Sequence, residues 1–216
     1  MDTVWQAKEA GAERREAPPA SALPCLLVTT ALSGCGGASA NDPPENRLQG
    51  GHKRSAQALA LEIMALAKRF GLERLGFLTL TFADNVQVLQ EANRRFHSLD
   101  THVIRRRYER AIAVPERQKS GRVHFHLVVV AGADIRSGAD FEAFKRKDYR
   151  SANPALRSEW AFWRGTAPRF RFGRTELLPV KSTPEGMARY VGKYISKHVR
   201  ARTAGDKGAR LVRYLG

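Results

Sequence analysis

The chain has 216 residues, a formal net charge of +16 and only two cysteines, Cys25 and Cys35. That length buries a real core and suits one catalytic domain with tails, and the lack of cysteine beyond residue 35 excludes a disulfide framework or a cysteine-based zinc cluster there. Residues 1–55 carry 6 Lys/Arg against 6 Asp/Glu and residues 56–216 carry 31 against 15, so the excess positive charge favours a polyanion, nucleic acid or an anionic membrane, over an acidic small molecule.

Residues 1–54 are rich in Ala, Gly, Pro and Ser without sustained periodicity, and are expected to be a disordered or mis-assigned leader. The apolar run Ala22–Leu32, followed by Ser33-Gly34-Cys35, imitates a lipoprotein cleavage box. Asp2, Glu9, Glu13 and Glu16 precede it and Pro24 interrupts it, which makes it a poor export signal. No stretch reaches the 18 or so apolar residues of a membrane span. A reducing, cytoplasmic setting is expected.

From Ser55 the pattern changes, and residues 55–216 are taken as the catalytic domain. Ala58, Leu59, Leu61, Ile63, Leu66 and Ala67 predict a helix ending near Gly71, and residues 76–82 then read as a buried strand. A helix is expected over Val86–Val103. Ala111–Glu116 and Val123–Val130 read as paired strands around the polar turn 117–122. Short helices at Phe141–Phe144 and Leu156–Phe162 precede a strand near Glu176–Val180. Pro184 suits the first turn of a basic helix running to about Val199, and Ala209–Tyr214 closes the pattern as a last strand. A hairpin at the centre of alternating elements points to an α+β fold, a central antiparallel sheet of about five strands with flanking helices.

Three groups of residues carry chemistry. His124 and His126 alternate with Phe125 on a strand, so both imidazoles leave one face about 6 to 7 Å apart and can converge on one metal ion. The bland reading is two surface histidines. Glu116 ends the preceding strand, just across the hairpin, where a carboxylate would complete a two-His, one-carboxylate face. It could instead pair with Arg117 or Arg122, and Gln118 could supply the oxygen ligand. On the basic helix, Tyr190, Lys193 and Tyr194 share a face by helical spacing. A tyrosine there can attack phosphorus while lysine stabilises negative charge, or the rings can simply pack on the sheet. His52, His97, His102 and His198 have no fitting spacing and read as surface or packing residues.

Phe77-Leu-Thr-Leu-Thr81, His124-Phe-His126 and Tyr190-Val-Gly-Lys193, in that order, resemble the HUH endonuclease superfamily, specifically the replication initiators of rolling-circle plasmids and small or filamentous bacteriophages. The resemblance covers roughly residues 56–216. It implies Mg²⁺ or Mn²⁺ at His124, His126 and Glu116, and cleavage of single-stranded origin DNA to a 5′-phosphotyrosine and a free 3′-OH. Tyr190 matches the nucleophile, Lys193 its accompanying lysine, and Tyr194 the second tyrosine of two-tyrosine initiators. A bacterial host would supply the polymerase, and also the helicase, because no Walker pattern is present. A transposase or relaxase of the same superfamily, or a non-catalytic nucleic-acid-binding domain, are the competing readings. Arg105, Arg106 and Arg107, the cluster Lys145–Lys147, and Arg169, Arg171 and Arg174 are candidate DNA contacts.

Overall fold

The computed structural model describes residues 50–216. The leader expectation, with Cys25, Cys35 and the Ala22–Leu32 run, falls outside the described residues up to position 49, as do the side chains of His52 and His198.

Six helices and five strands are described: α1 Gly50–Phe70, β1 Leu75–Phe82, α2 Leu89–Leu99, α3 Arg105–Arg107, β2 Ala111–Arg117, β3 Val123–Val130, α4 Phe141–Lys145, α5 Pro154–Thr166, β4 Phe172–Pro179, α6 Pro184–Arg200 and β5 Arg213–Leu215. The strands form one sheet in the order β4-β1-β3-β2-β5, and each neighbouring pair is antiparallel. The expected antiparallel α+β architecture is therefore present.

Side chains alternate across each strand and sort two cores. On one face Leu78, Leu80, Phe125, Leu127 and Phe172 pack with Phe96 of α2 and Trp163 of α5. On the other, Ile112, Val114, Val128 and Val130 pack with Leu59 and Ile63 of α1 and Met187, Val191 and Ile195 of α6. Both faces of β3 are thus covered, and all eight of its residues are buried. The sheet is the middle layer of a helix–sheet–helix sandwich, so the histidines of β3 lie under a helix and not on open surface.

Local chemistry sets several boundaries. Asn153 caps α5, its Oδ1 accepting from Leu156 N at 2.8 Å with Pro154 in the first turn. Asp140 caps α4 in the same way through Glu142 N and Ala143 N. The hairpin closes through Gln118 N to Arg122 O at 2.8 Å and Gly121 N to Gln118 O at 2.9 Å. Gly121 has φ 84°, a conformation that glycine adopts without a Cβ penalty.

Four boundaries differ from the sequence expectation. α1 begins at Gly50, ahead of Ser55. α2 starts later than Val86, at Leu89, and passes through a π turn at Asp100–Ile104 into α3. β4 starts at Phe172 and not near Glu176, because Arg171 takes a left-handed φ of 60° that ends the preceding 3₁₀ turn and turns the chain into the sheet. The last strand shrinks to Arg213–Leu215, since Ala204–Asp206 forms a capped 3₁₀ turn that holds the chain just before it.

Candidate active site

The pairing register assembles the site. β2 and β3 place Glu116 opposite His124 and Val114 opposite His126, while β1 places Thr79 opposite His126 and Thr81 opposite His124. Paired residues leave the same face, so Glu116, both histidines and both threonines form a patch at one end of three adjacent strands. On β4 the partner of Thr79 is Glu176, which is exposed.

Glu116, His124 and His126 are all buried, at 8, 5 and 6% exposure. Glu116 Oε2 lies 2.6 Å from His126 Nε2. His126 Nδ1 lies 3.2 Å from Thr79 Oγ1, and His124 Nδ1 lies 3.3 Å from Gln118 Nε2. His124 Nε2 is buried with no hydrogen-bond partner. Burial, with the neighbouring His126 adding to it, pushes the His124 imidazole down to about 4. It is therefore neutral at physiological pH, the state in which an imidazole ligates a metal.

The alternative partners weighed for Glu116 are engaged elsewhere. Arg117 projects to the other side and forms a buried ion pair with Asp206, Nη2 2.8 Å from Oδ2, and donates to Gln87 O and Gly121 O. Arg122 donates to Phe82 O and Asp84 O. Burial works to raise the Asp206 carboxyl, but hydrogen bonds from the Thr203 backbone and Arg117 outweigh it and hold the carboxyl below its ordinary range.

α6 lays two phenols over this patch. The Tyr194 ring stacks on His126, with centroids 3.9 Å apart and 23° between planes. Tyr194 is 2% exposed and its hydroxyl donates to the Tyr190 hydroxyl at 2.7 Å. Burial, followed by that hydrogen bond, raises the Tyr194 phenol far above its ordinary value. Phe77 of β1 fills the space beside the stack, edge-on to Tyr190 at 5.2 Å and parallel to His126 at 5.5 Å. Tyr190 is half-buried, and Lys193 is exposed on the intervening turn. The residues singled out on α6 and β3 thus meet at one place, although separated by more than sixty positions in the chain.

The cation expected from the motifs can be tested against these atoms. Among the described residues no group of three or more His, Cys, Asp or Glu side chains stands ready as a metal site. The reason lies in the close Glu116–His126 contact: bonds of about 2.1 Å to an octahedral ion separate adjacent ligand atoms by roughly 3 Å, whereas these two atoms share a hydrogen bond. The donor set and the partnerless His124 Nε2 nevertheless fit a divalent cation once that pair opens by a few tenths of an ångström.

The basic clusters are dispersed. Arg107 is held by Glu159, Nη2 2.9 Å from Oε1, with its guanidinium 3.5 Å over the Phe162 ring. Arg105 reaches Asp100 at 3.1 Å, and Arg106 is exposed. Val103, Ile104 and Tyr108 beside them belong to the core on the α2/α5 face, opposite the histidines. Lys145 pairs with Glu142, and Arg169, Arg171 and Arg174 are exposed around the start of β4. His97 and His102 are exposed, as expected.

The span from β1 into α6, residues 76–199, matches the family model for replication-associated proteins of the ORF2 type. The chain belongs to this family. The matched span holds Thr79, Glu116, both histidines and both tyrosines. Similarity to a replicon protein extends over most of the chain: the Phasyl DNA replicon protein arp of Escherichia coli is 50% identical over 198 residues, an alignment covering 89% of this chain and 68% of that relative. No solved structure matches. Among the described residues of this replication-associated protein, no helix is long and apolar enough to cross a membrane.

Sequence reasoning missed Thr79, Asp206 and Phe77 as parts of the site. Thr79 and Phe77 lie in the strand motif, but only the register of β1 against β3 assigns Thr79 to His126. Asp206 sits 89 residues from Arg117, and no local pattern links them.

Proposed function

We propose that this replication-associated protein initiates replication by nicking single-stranded DNA at an origin, with Tyr190 as nucleophile. The observation that carries the proposal is the stacking of the α6 tyrosines on a histidine hydrogen-bonded to a buried carboxylate. Family membership and the replicon relative support the replication role, and the ordered motifs that resemble HUH initiators support the chemistry.

In the proposed reaction the Tyr190 oxygen attacks a phosphodiester phosphorus. A new Tyr190 O–P bond forms, the P–O3′ bond breaks, the phenol proton passes to water and the 3′ oxygen leaves with a proton from water. The products are a 5′-phosphotyrosine and a 3′-OH. Tyr194 donates its hydrogen to the Tyr190 oxygen, which stabilises the negative charge that grows there. Because Tyr194 is buried and its hydroxyl is used in this way, the first cleavage falls to Tyr190. Lys193 is exposed on the same helix and is assigned to the phosphate charge. His124, His126 and Glu116 would hold Mg²⁺ or Mn²⁺, whose chemistry is to polarise a phosphodiester oxygen. The exposed Arg169, Arg171 and Arg174 are assigned to the DNA backbone.

Purified protein incubated with Mn²⁺ and a pool of single-stranded oligonucleotides should form a covalent adduct on a denaturing gel. Tyr190→Phe should lose the adduct and His126→Ala should lose its metal dependence. An adduct that survives both changes overturns the assignment.

A further inference from the structure

We infer that Thr79 and Gln118 are positioning residues that hold the Nδ1 edges of His126 and His124, turning both Nε2 atoms toward the site and permitting the change of ring proton that cation binding requires. The inference rests on the metal-assisted reading above. It gives a role to the threonine of the β1 motif, which the reaction itself leaves without one.

The geometry is symmetrical in function. Each histidine has one nitrogen occupied by an uncharged side chain: Thr79 Oγ1 at 3.2 Å from His126 Nδ1, and Gln118 Nε2 at 3.3 Å from His124 Nδ1. The other nitrogen faces the candidate site. His126 Nε2 meets Glu116 at 2.6 Å and His124 Nε2 has no partner. With the carboxylate ionised, His126 Nε2 carries the hydrogen and Nδ1 accepts from the Thr79 hydroxyl. Gln118 donating to His124 Nδ1 likewise leaves the hydrogen of that ring on Nε2.

To ligate a cation through Nε2, each imidazole must instead carry its hydrogen on Nδ1. Both rings are buried, so an Nδ1–H without an acceptor would be costly. A hydroxyl and a primary amide can each switch from donor to acceptor: Thr79 by rotating its O–H away, Gln118 by turning its amide so that Oε1 faces the ring. A methyl group can do neither. No proton is gained or lost overall, since each ring moves one hydrogen from Nε2 to Nδ1. The stacking of His126 between Phe77 and Tyr194 leaves the ring little freedom to turn, so the partner must change its role while the ring stays in place. Outer partners of this kind hold ligand histidines in a single orientation in metal sites generally.

The test measures Mn²⁺ affinity by calorimetry alongside thermal melting. Thr79→Val keeps a β-branched side chain on the strand, and we expect Mn²⁺ affinity to fall by about 10- to 100-fold with the melting temperature little changed. Thr79→Ser should restore binding to near the wild-type level, and Gln118→Leu should weaken it as Thr79→Val does. Wild-type affinity in Thr79→Val, beside loss of binding in His126→Ala, overturns this inference and leaves the metal reading standing. A Thr79→Ser variant no better than Thr79→Val also overturns it. Failure of the wild type to bind Mn²⁺ overturns the metal reading, and the inference with it. Imidazole ¹⁵N shifts of the wild type give a readout that needs no variant: His126 should carry its proton on Nε2 in cation-free buffer and on Nδ1 with Mg²⁺. The same tautomer under both conditions overturns the inference.

Discussion

Glu116 stands directly opposite His124 in the sheet, yet its carboxylate bonds the diagonal neighbour His126, Oε2 2.6 Å from Nε2. The long side chain reaches across the strand pair, as diagonal neighbours on one face allow. Because both groups are buried, their contact is part of the stability of the site as well as of its proposed chemistry.

Two substitutions separate those contributions. Glu116→Ala leaves His126 Nε2 buried without this partner and should cost about 1–3 kcal/mol of folding stability, measured by urea denaturation. Glu116→Gln keeps an acceptor oxygen and should cost less, while still removing the carboxylate charge and with it most Mn²⁺-dependent adduct formation. Equal adduct yield from Glu116→Gln and wild type would remove Glu116 from the proposed site.

The two tyrosines are expected to behave unequally. Tyr190→Phe removes the nucleophilic oxygen and should abolish the adduct. Tyr194→Phe removes a hydrogen bond to a group that becomes charged, worth about 1.5–3 kcal/mol, so adduct formation should persist at a rate lower by roughly 10- to 100-fold. Single-turnover kinetics on an oligonucleotide substrate would distinguish them, and the reverse order of severity would reassign the nucleophile to Tyr194.

The buried pair Arg117–Asp206 ties the turn before β5 to the hairpin that carries Glu116 and Gln118. Asp206→Ala strands the Arg117 guanidinium in a buried setting, and a loss of about 3–5 kcal/mol is expected. A loss under about 1 kcal/mol in chemical denaturation would show that the hairpin does not depend on this clamp. No effect on the DNA-cleavage chemistry is expected beyond that of lowered stability.

Stability of the cation-free protein should fall with acidification through His124. Its folded value is lowered from 6.5 to about 4 by burial and by His126, so the folded state prefers the neutral ring. Between those two pH values the unfolded chain binds more protons at this site. The contribution is therefore fully present above pH 6.5 and is lost progressively as pH falls toward 4, with a limiting slope of about 1.4 kcal/mol per pH unit. Urea midpoints across this range should be steeper in pH for wild type than for His124→Gln; parallel curves would place the acid sensitivity elsewhere.

The sequence alone determined what short-range physics controls. Period-two alternation placed His124 and His126 on one face of β3, the polar turn with Gly121 brought Glu116 beside them, and helical spacing set Tyr190 next to Tyr194. The antiparallel sheet with its flanking helices followed from the same local patterns. Tertiary structure decided the rest. It stacked Tyr194 on His126, gave Thr79 to that ring, joined Arg117 to Asp206 and committed Arg107 of the basic cluster to Glu159. These contacts depend on strand register and helix packing between residues dozens of positions apart. Alternation and helical period say which face a side chain leaves, but only the packed sandwich says what it meets there.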